Sequence, residues 1–247
     1  MNHFVQLFES VKGNLVFCLQ FLGIVAGIIV LAVLVELFLK KRANDKEKIL
    51  TTRKIAVVGM FSALAGIFFS IEVPIFIIPD VYKFEIGDLP ALICGFAFGP
   101  VAAVMVECCK ILIKLLVRPT STAFVGELAN FIIGCSYCLP ATIFYWFKKT
   151  KKNAVIGCVI GACTMTIAGA LMNGFYLLPT FLNMFLGGNM EALIGMGSKV
   201  NPLIKDIPTF VMFAAVPINI IKSTIDSVLA IVLYRFLRPL WKPSGNK

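Results

Sequence analysis

Asn219, Lys222 and Asp226 stand at i, i+3 and i+7 in the stretch Pro217-Ile218-Asn219-Ile220-Ile221-Lys222-Ser223-Thr224-Ile225-Asp226. That spacing places an amide, a cation and a carboxylate on one face of a helix. Their neighbours are apolar, and a charge at mid-membrane costs about 2.5–3.5 kcal/mol on insertion scales. Such groups are expected to face a bundle interior or a cavity. Pro217 frees a carbonyl and predicts a kink above them. Asn219 and Lys222 are expected to bind a ligand. The alternative, which fits Asp226 best, is a Lys222–Asp226 pair at i, i+4 that only joins helices.

Two further stripes share this character. Asn173 and Tyr176, in Asn173-Gly174-Phe175-Tyr176-Leu177-Leu178-Pro179, are expected on one helix face. The alternative is an interfacial tyrosine and a helix–helix amide bond. Glu127 and Asn130, in Gly126-Glu127-Leu128-Ala129-Asn130, again share a face. For Glu127 the alternative is acidic charge at a helix N-terminus. The three stripes offer amides, one cation, one carboxylate and nearby rings. That chemistry suits recognition of a neutral or weakly charged, partly aromatic small molecule, with Tyr176 or Phe175 packing on its ring. A fourth stripe, Glu107, Lys110 and Lys114, reads as structural: Glu107 can pair with Lys110, and Lys114 can snorkel.

Other chemistry is expected to be absent. No carboxylate pair is arranged for hydrolysis, no Ser/His/Asp set exists, and no GxxxxGK[ST] loop is present, so ATP hydrolysis by this chain is not expected. The chain therefore does not read as an enzyme; a membrane-embedded enzyme is the weakest alternative. The sole histidine, His3, has no partner cluster, and no metal site or cofactor is expected. Cys135 and Cys138 form a CxxC, but all eight cysteines lie in apolar runs and read as small hydrophobes.

The elements that must hold these stripes are transmembrane helices. Of 247 residues, 59% are hydrophobic and only 15% charged, with a mean hydropathy of +0.93. A soluble domain carries about a quarter charged residues. The apolar runs fall at about 14–39, 54–78, 89–106, 101–117, 127–147, 154–180 and 209–236. The third and fourth meet at Gly99-Pro100, which predicts a tight helical hairpin and about seven spans in all. The first run is too long for a cleavable signal and ends in charge, so it reads as a retained span.

The net charge of +10 is concentrated in clusters. These are Lys40, Lys41, Arg42, Lys46, Lys48 and Arg53; Lys148, Lys149, Lys151 and Lys152; and Arg235, Arg238, Lys242 and Lys247. Their positions predict membrane topology rather than nucleic-acid binding, with the three clusters and the C-terminus cytoplasmic. Two long outer connections, about 72–88 and 181–208, read as lid or binding loops.

At these residues the sequence resembles the substrate-binding S components of energy-coupling factor (ECF) vitamin transporters, and within them the riboflavin-specific branch. The resemblance runs from Arg53 to Arg238. It is carried by Lys83-Phe84-Glu85-Ile86-Gly87-Asp88-Leu89-Pro90-Ala91-Leu92-Ile93, Gly126-Glu127-Leu128-Ala129-Asn130-Phe131, the Asn173 to Pro179 stretch, and Pro217 to Lys222. It implies an all-α integral membrane protein: a six-helix bundle plus, here, one extra N-terminal transmembrane helix. It implies riboflavin as transported ligand rather than cofactor. It places Asn173, Asn219 and Lys222 on the flavin, and Glu127 and Asn130 along the pocket. The loop after the bundle's first span becomes a lid, with Lys83, Phe84 and Asp88.

The resemblance also implies partners: a membrane coupling protein and two ATPase subunits, in a bacterial plasma membrane. Gly59-Met60-Phe61-Ser62-Ala63 fits the small-residue docking face, although packing inside the bundle is the alternative for Gly59 and Ala63. Residues 1–45 depart from the six-span pattern and 46–247 follow it. The added helix reads either as a peripheral anchor or as a contact for another partner. Another vitamin, a phosphorylated flavin held near Lys83 and Lys222, or a stand-alone secondary transporter are the competing functions.

Overall fold

The computed structural model describes residues 13, 15–76, 78, 79, 81–118, 120, 122 and 124–241, with side chains as far as 234. His3, Lys242 and Lys247 lie outside the described residues, as do the side chains of Arg235 and Arg238.

Helix α1 (Leu15–Arg42) is the extra N-terminal element, and α2 (Thr52–Ser70) follows a short charged connection. Thr51 starts α2 by accepting a hydrogen bond from the Lys54 amide. A two-stranded antiparallel hairpin, β1 (Val73–Pro74) with β2 (Lys83–Phe84), then interrupts the helices. Apolar periodicity gave no sign of it, because two-residue strands are too short to show alternation.

The Gly99-Pro100 hairpin forms between α3 (Asp88–Phe98) and α4 (Pro100–Val117). Gly99 has φ +102°, a left-handed conformation that ends α3 without steric cost. The third apolar run is shorter than the sequence pattern implied. At 11 residues α3 rises about 16 Å, roughly half the hydrocarbon thickness.

Helices α5 (Val125–Phe147) and α6 (Lys151–Met172) form the most extensive pair. Gly157 and Gly161 of α6 make the close approach possible: a Cβ on either would meet the α5 backbone oxygen of Ala141 or Tyr137 at 2.5–2.6 Å. Beyond α6 the chain passes through a π turn, Asn173–Leu177, into α7 (Leu178–Phe185). The connection at 181–208 is therefore largely helical, with α8 (Met190–Ser198) inside it. A second π turn, Val211–Ala215, joins α9 (Ile207–Phe210) to α10 (Val216–Trp241).

Both π turns precede a proline, Pro179 and Pro217. A missing N–H leaves the ladder free to re-form as i→i+5 bonds: Leu178 N donates to Asn173 O, and Val216 N to Val211 O. Among the described residues five helices are long and apolar enough to cross a membrane.

The basic clusters gather at one end of the bundle. Arg42 lies 5.1 Å from the Phe147 ring centroid, and the Tyr145 and Tyr234 hydroxyls are 3.0 Å apart, so the last turns of α1, α5 and α10 share that end. The hairpin, α7, α8 and the start of α5 occupy the other.

Helix α1 packs on α4 and α5, with Phe21 edge-on to Phe131. Its Glu36 is fully buried. One carboxylate oxygen pairs with Lys54 Nζ at 2.6 Å; the other accepts from Val101 N at 2.9 Å. A carboxylate at a helix start satisfies an orphan donor and the helix dipole together. The added helix is thus fastened to the bundle by one face, while Leu19, Leu22, Leu31, Leu34 and Phe38 on its other side stay exposed.

Candidate functional site

A cavity of about 690 Å³ opens between the hairpin and the ends of α5, α6 and α10. Small-ligand pockets span roughly 300–1,000 Å³. Five sequence-chosen residues, Asn173, Asn219, Lys222, Glu127 and Asn130, line it together, although they come from three distant stretches of chain. Lys83 of the hairpin lines it as well.

The amides are held but not exhausted. Asn173 Nδ2 donates to Gly169 O at 2.7 Å, and Asn219 Nδ2 donates to Ala215 O at 2.7 Å. Asn130 Nδ2 donates to Gly126 O at 3.0 Å. Each bond runs back to residue i−4, fixing the amide while leaving part of its hydrogen-bonding capacity for a guest. Gly169 completes the arrangement: a Cβ there would lie 2.8 Å from Asn219 Cγ, so α10 brings its amide directly against α6. Glu127 Oε2 accepts from the Thr120 and Thr122 hydroxyls, both at 3.0 Å.

Lys222 is engaged by two carboxylates. It pairs with Glu85 and sits 2.7 Å from Asp88 Oδ2. Asp88 also accepts from Lys110, which lies 2.6 Å from Glu107 Oε2. The Cys138 thiol, in the core, contacts Glu107 Oε1 at 3.7 Å. The chain Glu85–Lys222–Asp88–Lys110–Glu107 alternates in sign from the cavity wall into the core. The fourth stripe is therefore tied to the site through Asp88.

Lys222 does not pair with Asp226, so the alternative of an i, i+4 pair is not the arrangement formed. Side chains on a helix slope toward its N-terminus. The Lys222 ammonium is carried toward the start of α10, away from Asp226 and onto the acids at the start of α3.

Three other expectations change. Asp88 is not on a lid: it is the first residue of α3, fully buried behind the cavity wall. Phe84 is half-buried among the α7–α9 cluster and does not line the cavity. Adjacent strand residues point to opposite faces, so Lys83 takes the cavity side. Tyr176 packs against the α1/α4/α5 cluster and Phe175 is 83% exposed; neither lines the cavity. The π turn is the reason. Bonding at i→i+5 aligns residues four and five beyond Asn173, so Leu177 and Leu178 replace Tyr176 on its face.

The aromatic walls are instead Phe69, Tyr82 and Phe181. Tyr82 and Glu85 are the functional positions that pattern reading missed. The Tyr82 hydroxyl donates to Asn173 Oδ1 at 2.7 Å. Only Glu85, an acid between the apolar Phe84 and Ile86, carried a usable signal. At the mouth, Glu72 meets three cations: Lys83 at 2.8 Å, Lys114 at 3.1 Å and Arg118 at 3.8 Å. Burial would raise the Glu72 carboxyl, but the Lys83 hydrogen bond and the Lys114 charge outweigh it and hold the group below the usual carboxylate range.

A helical membrane bundle with an open-mouthed pocket at one end, lined by amides, charges and aromatic rings, is an architecture suited to capturing a substrate. A sequence model of the ECF transporter substrate-specific component family matches residues 53–234, and the chain belongs to that family. Among its relatives, the riboflavin transporter RibU of Staphylococcus aureus (strain TCH60) is 31% identical over 185 residues, covering 75% of this chain and 90% of that protein. The riboflavin transporter FmnP of Bacillus subtilis (strain 168) is 26% identical over 190 residues, covering 76% and 93%. A solved S component of a bacterial ECF transporter superposes with a TM-score of 0.59 at 31% identity, over 77% of this chain and 98% of that one.

Proposed function

We infer that this chain is a membrane binding subunit for riboflavin uptake, which delivers the vitamin inward when coupled to ECF energising subunits. The cavity carries this reading: amides from α5, α6 and α10, a lysine and three aromatic rings surround a space suited to a flat ring with a polar edge. Asn173, Asn219 and Lys222 are assigned to the flavin, with Glu127 and Asn130 along the remaining wall. Tyr82 and Phe181 replace Tyr176 as the rings expected to pack on it.

The energising module consists of a membrane coupling protein and two ATPase subunits, docked at Gly59 and Ala63. Both residues are exposed on α2, and a Cβ on Gly59 would meet nothing within 4 Å. That supports an outward docking face over packing inside the bundle. The basic end is assigned to the cytoplasm of a bacterial plasma membrane, with the C-terminus there, by the positive-inside rule. Residues 1–45 are treated as an added segment and 46–247 as the S-component domain.

A phosphorylated flavin is the second reading. Lys83, Lys114 and Arg118 share one carboxylate at the mouth, which leaves positive charge for a phosphate.

Purified protein in detergent is expected to quench riboflavin fluorescence at about one flavin per chain, and Asn219→Ala and Lys222→Ala are expected to weaken binding by roughly tenfold or more, the worth of one charge-assisted hydrogen bond. Retention of full affinity by both variants would remove the assigned site. Competition by flavin mononucleotide separates the two readings.

A further inference from the structure

The buried charge cluster does not balance. Within the bundle, Glu85, Asp88, Glu107 and Asp226 are all buried, as are Lys110 and Lys222. Four carboxylates face two ammonium groups. Lys222 is shared by Glu85 and Asp88, and Lys110 by Asp88 and Glu107. Both cations are therefore spent before Asp226 is reached. Asp226 has no exposed surface, and neither of its oxygens has a hydrogen-bond partner among the described residues.

An ionised carboxylate cannot persist in that setting without a compensating charge or donors. The groups that face it are Lys222 on its own helix, Asp88 from α3, Glu85 from the connection before α3, and Lys110 from α4. Tyr137 of α5 and Cys158 of α6 lie against the same region, the tyrosine hydroxyl being 2.8 Å from Ser227 Oγ. Two of the four charged neighbours are acids and the two lysines are already paired.

A metal ion fits poorly. Two lysines repel it, Asp226 lies off the cavity, and the described residues contain no group of three or more His, Cys, Asp or Glu placed to hold one. A proton needs no coordination shell and removes the charge outright.

We propose that Asp226 is a proton-binding site of this cluster, and that its proton keeps Lys222 available to the cavity. The proposal rests on the flavin-binding reading for its functional half. When Asp226 carries its proton, Lys222 has only Glu85, on the cavity wall, and Asp88, behind it, to pair with. When the O–H bond breaks and the proton leaves to water, a third carboxylate competes for the ammonium from one helical turn away. Lys222 is then drawn along α10, away from the flavin.

Two measurements test this on the full-length protein in detergent. The infrared spectrum of the wild type is expected to contain a carboxylic-acid carbonyl band that shifts in D2O and is missing in Asp226→Asn. Riboflavin affinity of the wild type is expected to fall as pH rises, by up to about tenfold per pH unit once the site titrates. Asp226→Asn, locked neutral, is expected to match the wild type at low pH and to show only the flavin's own ionisation at high pH. Should Asp226→Asn not fold, Asp226→Leu serves the same comparison. Absence of an acid band attributable to Asp226 overturns the proposal, whether or not flavin binds. So do superposable pH profiles of wild type and variant. Failure of the wild type to bind riboflavin at any pH would instead remove the flavin reading, and the infrared arm would still decide the proton.

Discussion

Replacing Glu36 with Gln should destabilise the whole bundle, although Glu36 lies far from the cavity and in the segment that precedes the family match. Glu36 is fully buried and Lys54 is 5% exposed. The amide keeps the shape and can still accept from Val101 N, but it leaves the Lys54 ammonium without its carboxylate. Removing one partner of a buried pair costs about 3–5 kcal/mol, because the other charge stays desolvated. The weakened bond to Val101 adds about 1 kcal/mol, the difference between a charged and a neutral acceptor. Lys54 stands in the first turn of α2 at the basic end of the bundle, where its stem can carry the ammonium outward. That relief sets the expectation at the lower limit, about 3 kcal/mol or roughly 150-fold in the folding equilibrium.

Lys54→Met should cost a similar amount, and the double variant Glu36→Gln/Lys54→Met should recover most of it. Reversible unfolding in mixed micelles, followed by circular dichroism, measures all four corners of the cycle. If each single variant stays within about 0.5 kcal/mol of the wild type, or the two losses simply add, the buried pair is not what fastens α1, and the reasoning fails.

Two other variants probe the site and the docking face. Gly169→Ala places a methyl against the Asn219 side chain; it should displace that amide and weaken riboflavin binding by about tenfold in a fluorescence titration, although residue 169 contributes no side chain to the ligand. Unchanged affinity would mean that Asn219 does not read the flavin. Gly59→Leu combined with Ala63→Leu should leave flavin affinity as it is, because both positions face out of the bundle. It should abolish ATP-driven uptake in vesicles that contain the coupling protein and the ATPases.

Much of the fold was legible because lipid imposes a simple constraint: every spanning segment must be long, apolar and internally hydrogen-bonded. The run lengths therefore marked the helices, Gly99-Pro100 marked the hairpin, and the clustering of Lys and Arg marked one end. The same constraint exposed Asn173, Asn219, Lys222, Glu127 and Asn130, since polar groups in apolar helices need a reason to be there. The wall position of Tyr176 was misjudged because a π turn changes which residues share a face. Proline hints at such a turn but does not specify its register.

What the chain alone determined was the approximate position of its apolar segments and the identity of their polar residues, because hydrophobicity and spacing are local properties. Only the tertiary structure decided the partners of those residues. Lys222 meets Glu85 rather than Asp226 at i+4, Asn173 meets Tyr82, and Glu36 meets Lys54 and the start of α4. A charge pairs with whatever the packing brings within a few ångströms, and sequence distance does not measure that separation.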